Sequence, residues 1–511
     1  MVTDTDVLII GTGFSGLGMS IRLMQAGLTN FTVLEQAAEV GGTWRDNHYP
    51  GVACDVPSHL YSFSFEQNPR WSRLFAPQRE ILEYLKHCAD KYGVRPHIEF
   101  NTEVVKAVFD ERAGQWQVTA RSGKVYRARV LISGGGGLSK PSFPDIPGRE
   151  RFRGKTFHTA RWDHGYPLEG KRVAVIGTGA SAIQVVPGIV DRVGQLTLFQ
   201  RTPAWVLPKP NFKIDEKSQQ RFARHPWLQR MLRNGIYMLM ESRALGFTGM
   251  SDRMLANTEV QARKFLAQQV KDPVLRAKLT PNYRVGCKRM LISNSYYAAL
   301  QKPHASLVTS GIREITESGI ITQDGEHHEV DAIVFATGFQ AAEAVAPFEV
   351  RGRDGLDLDA AWREGAEAYK GTAVAGFPNL FLLVGPNTGL GHNSMVYMIE
   401  SQHQYVLDCL QQMRAHGTDT VEVKPSAQRA YNQKLVERLS KTVWATGGCV
   451  SWYRNKAGKN TTLWPGFTFE YRLRTRKFDA HNYELHKLDR RSRPRANPKA
   501  QPELHAPHPA E

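Results

Sequence analysis

The chain has 511 residues, 41% of them hydrophobic and 23% charged, a globular composition too long for one average domain, so two or three domains are expected. Its 66 Lys and Arg outnumber 49 Asp and Glu for a formal charge of +17; the excess favours anionic ligands, and phosphate-bearing cofactors account for it without nucleic acid, which is not expected as a partner. No run of about eighteen uncharged apolar residues occurs, which argues against a membrane-spanning helix and points to a cytoplasmic protein without stable membrane insertion.

The first element is a strand, Asp6-Val7-Leu8-Ile9-Ile10, running into Gly11-Thr12-Gly13-Phe14-Ser15-Gly16 and a helix from Leu17 to Gln25, with a second strand from Phe31 to Glu35. The unit recurs: Arg172-Val173-Ala174-Val175-Ile176 leads into Gly177-Thr178-Gly179-Ala180-Ser181-Ala182 and a helix, and Leu196 to Arg201 forms its second strand. An α/β fold with two Rossmann-like dinucleotide-binding domains is therefore expected. Between them and the C-terminal half, Leu228, Leu232, Ile236 and Leu239 recur near the helical period, marking a helical insertion. A strand from Asp331 to Phe335 with Ala336-Thr337-Gly338, a strand around Asn379 to Val384 and a helix from Met395 to Arg414 follow.

The expected organisation is a first dinucleotide-binding domain from 1–145 and 372–485, read below as the FAD domain, a second from 146–210 and 286–371, read below as the NADP domain, a helical insertion over 211–285, and a basic tail over 486–511. The tail holds Arg490-Arg491-Ser492-Arg493-Pro494-Arg495 and further prolines with almost no apolar residue, a composition that reads as disordered. The five cysteines, Cys54, Cys88, Cys287, Cys409 and Cys449, have no C-x-x-C spacing, which argues against a disulfide scaffold, a metal site or a dithiol reductase and suits a reducing compartment.

In the first glycine-rich turn, Gly11 permits the tight bend, Gly13 lets a pyrophosphate approach the backbone, and Gly16 lets helix and strand pack, while the helix N-terminus faces the phosphates with partial positive charge. Phe14 and Ser15 complete that cradle. Glu35, 24 positions after Gly11, ends the second strand, where a carboxylate accepts hydrogen bonds from ribose hydroxyls. The second turn, Gly177, Thr178, Gly179, Ala180, Ser181 and Ala182, differs in one informative way. At the same offset of 24 positions from Gly177 stands Arg201. An arginine takes a 2'-phosphate through charged hydrogen bonds, so NADPH is expected over NADH, with Thr202 adding a hydroxyl donor. Two such sites in one chain imply electron transfer from a nicotinamide to a flavin.

The stretch Gly41-Gly42-Thr43-Trp44-Arg45-Asp46-Asn47-His48-Tyr49-Pro50-Gly51-Val52-Ala53-Cys54-Asp55 resembles the G-G-x-W-x-x-x-x-Y-P-G-x-x-x-D signature of type I Baeyer–Villiger monooxygenases. Phe152-Arg153-Gly154-Lys155-Thr156-Phe157-His158-Thr159-Ala160-Arg161-Trp162-Asp163 fits F-x-G-x-x-x-H-x-x-x-W-D at every fixed position. The neighbouring flavin-containing monooxygenases carry Tyr or Phe where Trp162 stands. The resemblance spans roughly Asp6 to Phe478. It implies FAD contacts at Gly42, Thr43, Trp44, Asp55, Tyr61 and Val104, and a loop tryptophan, Trp452, closing over the nicotinamide. It also implies that Cys287-Lys288-Arg289 supplies Lys288 to the 2'-phosphate and Arg289 to the flavin face, paired with Asp55; Arg289 and Asp55 are the candidate catalytic residues, and His158 is read as coupling domain movement to catalysis.

The expected activity follows from that resemblance. NADPH reduces FAD, O2 adds to the flavin C4a carbon, and the resulting peroxide, kept deprotonated by a fixed guanidinium, attacks a ketone to give an ester or lactone. Oxygen transfer to sulfur or nitrogen, and a flavoprotein oxidase or redox partner without oxygenation, are the alternatives. The sequence leaves linear, cyclic and aryl ketones open, as it does the oligomeric state.

Overall fold

The computed structural model describes residues 2–340, 346–451, 453–455 and 458–488. Its first strand, β1 (Val2–Ile10), is buried throughout from Val7 to Ile10, as expected for a parallel strand covered on both faces. It pairs in parallel with β2 (Phe31–Leu34) on one side and β6 (Val125–Ser133) on the other, and β2 pairs in parallel with β3 (Ile98–Glu99). The outer half of β6 joins an antiparallel meander with β5 (Gln115–Ala120) and β4 (Val104–Asp110). Its inner half takes the strand Leu380–Leu382 in parallel.

The C-terminal part of the chain thus completes the first sheet, and the helix Met395–His416 packs beside the helix Phe14–Gln25. The return begins earlier than residue 372, however: Glu349–Arg351 pairs with β4 of the first sheet, not with the second sheet. A three-residue edge strand carries too little periodicity to be seen in sequence.

The second domain is a five-stranded parallel sheet in the order Ala305–Val308, β9 (Gln195–Phe199), β8 (Arg172–Ile176), Ala332–Phe335 and β7 (Lys155–His158). Phe335 registers with both His158 and Ile176, so the linker, the second glycine-rich turn and Ala336-Thr337-Gly338 converge at one edge. The segment 211–285 is helical, with Glu216–Arg224, Pro226–Ser242, Asp252–Gln269 and Pro273–Lys278. Its entry and exit are tied together where Val206–Leu207 pairs with Leu291–Ile292.

At the C-terminus, Tyr483–His486 pairs with Thr420–Val423, and the Leu488 amide donates to Asp419. The boundary expected at 486 therefore falls inside a strand, and residues 489–511 of the basic tail lie outside the described residues.

Candidate functional site

The first turn is built by close approach. Gly11 has φ +92°, and a Cβ on Gly16 would stand 1.9 Å from the Gly11 carbonyl oxygen, so only glycine lets this helix start so near the strand. The helix Phe14–Gln25 has no side-chain cap, which leaves its first amides to an anion. Gly42 faces Gly13 across the opening, where a Cβ would sit 3.0 Å from the Gly13 Cα. The Ser15 hydroxyl donates to the Gly134 carbonyl at 3.0 Å, and the Ser15 carbonyl accepts from His403 Nε2 at 2.8 Å. These residues fit a dinucleotide pyrophosphate.

Glu35 is only 3% exposed. Its carboxylate accepts from the Thr12 amide at 3.0 Å, the Thr12 hydroxyl at 2.6 Å and the Ala37 amide at 2.9 Å, and Arg45 lies 3.0 Å away. A carboxylate has about four acceptor positions, so Glu35 is already engaged in bracing its own loop, and the ribose hydroxyls expected there must share or displace Thr12 and Arg45. Val104 is a buried residue of the first domain's core, two positions after Thr102, whose amide donates to the Glu35 carbonyl at 2.8 Å.

Trp44, Phe14 and Tyr61 form one aromatic cluster: the Trp44 indole donates to the Tyr61 hydroxyl at 3.2 Å, and Phe14 meets Tyr61 edge-on at 5.1 Å. Thr43 opens the short helix Thr43–Asp46 that holds Trp44. The following Tyr49-Pro50-Gly51 turn presses on the second domain. Gln184 accepts from the Tyr49 hydroxyl at 2.9 Å and donates to the Ala53 carbonyl at 3.0 Å, and a Cβ on Gly188 would stand 2.6 Å from the Pro50 carbonyl. Sequence reasoning missed Gln184; its position seven residues after Gly177, on the helix that follows the turn, was the available signal.

That turn delivers Asp55 to Arg289, which returns from the insertion. Arg289 Nε and one terminal nitrogen donate to the two Asp55 oxygens at 2.8 and 2.7 Å, while the other terminal nitrogen reaches the Leu390 carbonyl at 3.5 Å. Burial pushes the Asp55 carboxyl up, but the Arg289 guanidinium holds it below the usual carboxylate range; Asp55 in turn raises Arg289. Lys209, unnoticed in the sequence and set between Pro208 and Pro210, adds positive charge near Asp55 and donates to the Cys54 carbonyl at 3.4 Å.

In the second turn Gly177 has φ +113°, Gly179 and Ala180 are exposed, Ser181 is half-buried and Ala182 buried. Thr178 donates its hydroxyl to the Thr202 carbonyl at 2.7 Å. Arg201 is exposed, and burial together with the Arg201 charge pushes the Lys288 ammonium pKa down. Two cations held in one neighbourhood are the donor set of a phosphate.

The structure corrects the cysteine reading, because Cys287 is disulfide-bonded to Cys449 across 162 positions. Local spacing cannot reveal a pair brought together by the fold, here by the Arg284 amide donating to the Gly447 carbonyl at 3.0 Å. The ground for expecting a reducing compartment is removed with it. The bond ties the residue before Lys288 to the segment leading to Trp452, which lies outside the described residues. His158 is buried, accepts from the Ala160 amide at 3.1 Å, and has its pKa pushed down to about 4 by burial, the state of a neutral brace at the linker. Trp162 packs edge-on against Phe157 at 4.8 Å and Asp163 pairs with Lys155 at 2.6 Å.

Comparison with known proteins agrees with this geometry. Residues 4–348 match the model of the flavin-binding monooxygenase-like family. A Baeyer–Villiger monooxygenase of Pseudomonas aeruginosa is 53% identical over 480 residues, covering 94% of this chain and 91% of its own. The crystal structure of cyclohexanone monooxygenase from Rhodococcus sp. Phi1 bound to NADP+ superposes with a TM-score of 0.85 at 30% identity, covering 95% of this chain and all of that one (100%). OTEMO in complex with FAD and NADP gives a TM-score of 0.85 at 29% identity, covering 94% of this chain and 99% of its own.

Proposed function

The chain belongs to the flavin-binding monooxygenase-like family, and from that premise we infer that it is an FAD-containing, NADPH-dependent Baeyer–Villiger monooxygenase. It inserts one oxygen atom of O2 beside a ketone carbonyl to give an ester or lactone. Two relatives, 53% and 48% identical over 94% of its length, carry that activity in their names, and the observation that carries the reading in this molecule is the two-bond Arg289–Asp55 pair joining the first domain's loop to the second domain's return segment.

When bound, FAD reduced by NADPH supplies the activation of O2. The amides at Gly13, Phe14 and Ser15 would hold the FAD pyrophosphate, with Gly42, Thr43, Trp44 and Tyr61 closing its other side. The turn from Gly177 to Ala182 would hold the NADPH pyrophosphate, and Arg201, Thr202 and Lys288 its 2'-phosphate. Arg289 presents a positive charge that it cannot lose as a proton, where negative charge develops on oxygen. Asp55 fixes the plane of that guanidinium and tempers its charge, and Gln184 holds the Asp55 loop against the second domain. Trp452 would close the nicotinamide side and exclude water. The cytoplasm, where NADPH is kept reduced, is the proposed location.

The test is product analysis with a ketone and a sulfide, each alongside the ratio of hydrogen peroxide formed to NADPH consumed. Ester or lactone from the ketone, with little peroxide, is the expected result. Sulfoxide without ester would make the enzyme a heteroatom oxygenase, and NADPH converted wholly to hydrogen peroxide with either substrate would make it an oxidase.

A further inference from the structure

The helical insertion turns an apolar face outward, and we propose that this face seats the enzyme on the surface of an anionic lipid bilayer. The helix Pro226–Ser242 is held to the body of the protein largely by polar groups. Its buried side carries Gln229, Arg233 and Glu241 together with Met240, and Ile236 and Tyr237 pack partly buried beside it. Arg233 donates to the His59 and Leu60 carbonyls at 2.7 and 3.2 Å, Gln229 donates to the Asn68 carbonyl at 2.7 Å, and Glu241 accepts from Asn393 at 2.6 Å and the Thr468 hydroxyl at 2.7 Å. These bonds fix the rotation of the helix. Turning it to bury its apolar residues would carry Arg233 and Glu241 out and leave the His59 and Leu60 carbonyls, Asn393 and Thr468 without these partners in the interior, which costs more than leaving methionines in water.

The outward side carries Trp227, Met231 and Met238, exposed by 57%, 62% and 64%, with Leu239 at 61% beside them. Spacings of four and seven residues place the first three on one line along the helix, and the stripe from Trp227 to Met238 runs about 17 Å at 1.5 Å per residue. An apolar run of this kind on a helix surface marks something that covers it.

The charge beside the stripe names the occupant. Lys217, Arg221, Arg224 and His225 line the groove where the preceding helix, Glu216–Arg224, meets Trp227 and Leu228, and Arg230 is exposed on the same helix. Cations flanking an indole with methionine and leucine beyond it match a helix lying in a headgroup layer, the cations on phosphates and the apolar side chains among the first acyl carbons. A second copy of the chain would instead bring two such cation sets together, on molecules that each carry +17. Among the described residues no helix is long and apolar enough to cross a membrane, so the contact is peripheral. It is independent of which ketone the enzyme oxidises, and it would place the protein where apolar ketones collect.

The test is sedimentation of the FAD-loaded, full-length enzyme with vesicles of phosphatidylcholine alone and of phosphatidylcholine mixed with phosphatidylglycerol, at low and raised salt. Salt-sensitive binding to the mixed vesicles is expected. Met231→Glu combined with Met238→Glu should lower the partition coefficient at least about tenfold, and Arg221→Glu combined with Arg224→Glu at least about fivefold per residue. Both variants should keep wild-type FAD content and wild-type NADPH oxidation in vesicle-free solution, which shows that they fold. The proposal is overturned if the wild type ignores the mixed vesicles, or if the methionine variant binds as the wild type does, since the basic tail is present in both. It is also overturned if the wild type is a dimer that the methionine variant converts to a monomer, because a second copy then covers the face.

Discussion

The two glycine-rich turns begin alike and end differently. Gly11 and Gly177 both bend the chain at positive φ beneath a neighbouring strand end, Gly134 in one domain and Ala336 in the other. The first turn then closes on itself through Gly16 and Glu35, whose carboxylate is engaged with Thr12, Ala37 and Arg45. The second ends in Ala182 and in Arg201 beside Lys288, two cations that oppose each other. A site braced by its own polar groups keeps its shape between turnovers and suits a cofactor that stays. A site holding unneutralised charge gains most when an anion arrives, and suits one that comes and goes.

That contrast can be broken most severely at Glu35. Glu35→Ala would strip the buried Thr12 amide and hydroxyl of their acceptor and leave the half-buried Arg45 paired with Asp46 alone, a loss of about 1–3 kcal/mol for each buried donor, so thermal unfolding should shift well downward and purified protein should carry little FAD. A variant with full FAD content would mean that Arg45 and Thr12 brace the turn without it. Next in size, Arg289→Ala should keep FAD and measurable NADPH oxidation while ester formation drops about a hundredfold or more, roughly 3 kcal/mol, with hydrogen peroxide accounting for the NADPH consumed. Near wild-type ester yield would remove Arg289 from the oxygenating site, and loss of flavin reduction would assign it to the nicotinamide. At the second turn, Arg201→Ala should raise KM for NADPH about tenfold, roughly 1.4 kcal/mol, and hardly alter NADH use. Equal changes for both nucleotides would show that Arg201 does not read the phosphate.

A smaller and graded contrast comes from two buried histidines, one bracing each domain. His403 donates to the Ser15 carbonyl beside the first turn, and its pKa is pushed down to about 3 by burial; His158, at the linker, is pushed down to about 4 by burial. Because the folded values lie below the ordinary histidine value of about 6.5, the stability they contribute is complete above that value and is lost as pH falls toward the folded values. Melting temperature should therefore decline through that acidic window, and His403→Gln should flatten the decline more than His158→Gln. A variant slope equal to wild type would place the acid sensitivity elsewhere. The smallest effect belongs to the tail: a stop codon after Leu488 should leave FAD content and turnover unchanged, and a truncated protein that loses FAD would show the tail to be part of the first domain.

What the sequence made legible was chiefly what lies close together in it. Each nucleotide turn keeps its glycines, its helix start and its acid or arginine within 24 positions, because a strand–turn–helix unit presents them to one ligand. The Arg289–Asp55 pair joins residues 234 positions apart and was reachable only through resemblance to a known family. Gln184 had only its place seven positions after Gly177 to mark it, and Lys209 and the partner of Cys287 carry no local pattern; tertiary packing brings all three to their places. The edge strand Glu349–Arg351 escaped for the opposite reason, being local but too short to show a period.

The Cys287–Cys449 bond also reaches into the state where the fold is absent. Closing a loop of 162 residues removes conformational freedom from the unfolded chain worth about 5 kcal/mol in the chain-entropy account. A reductant would return that freedom while leaving every native contact except the bond in place. The resistance of this enzyme to heat and denaturant would then depend on the thiol–disulfide balance around it, even where its folded structure and its two nucleotide sites look the same.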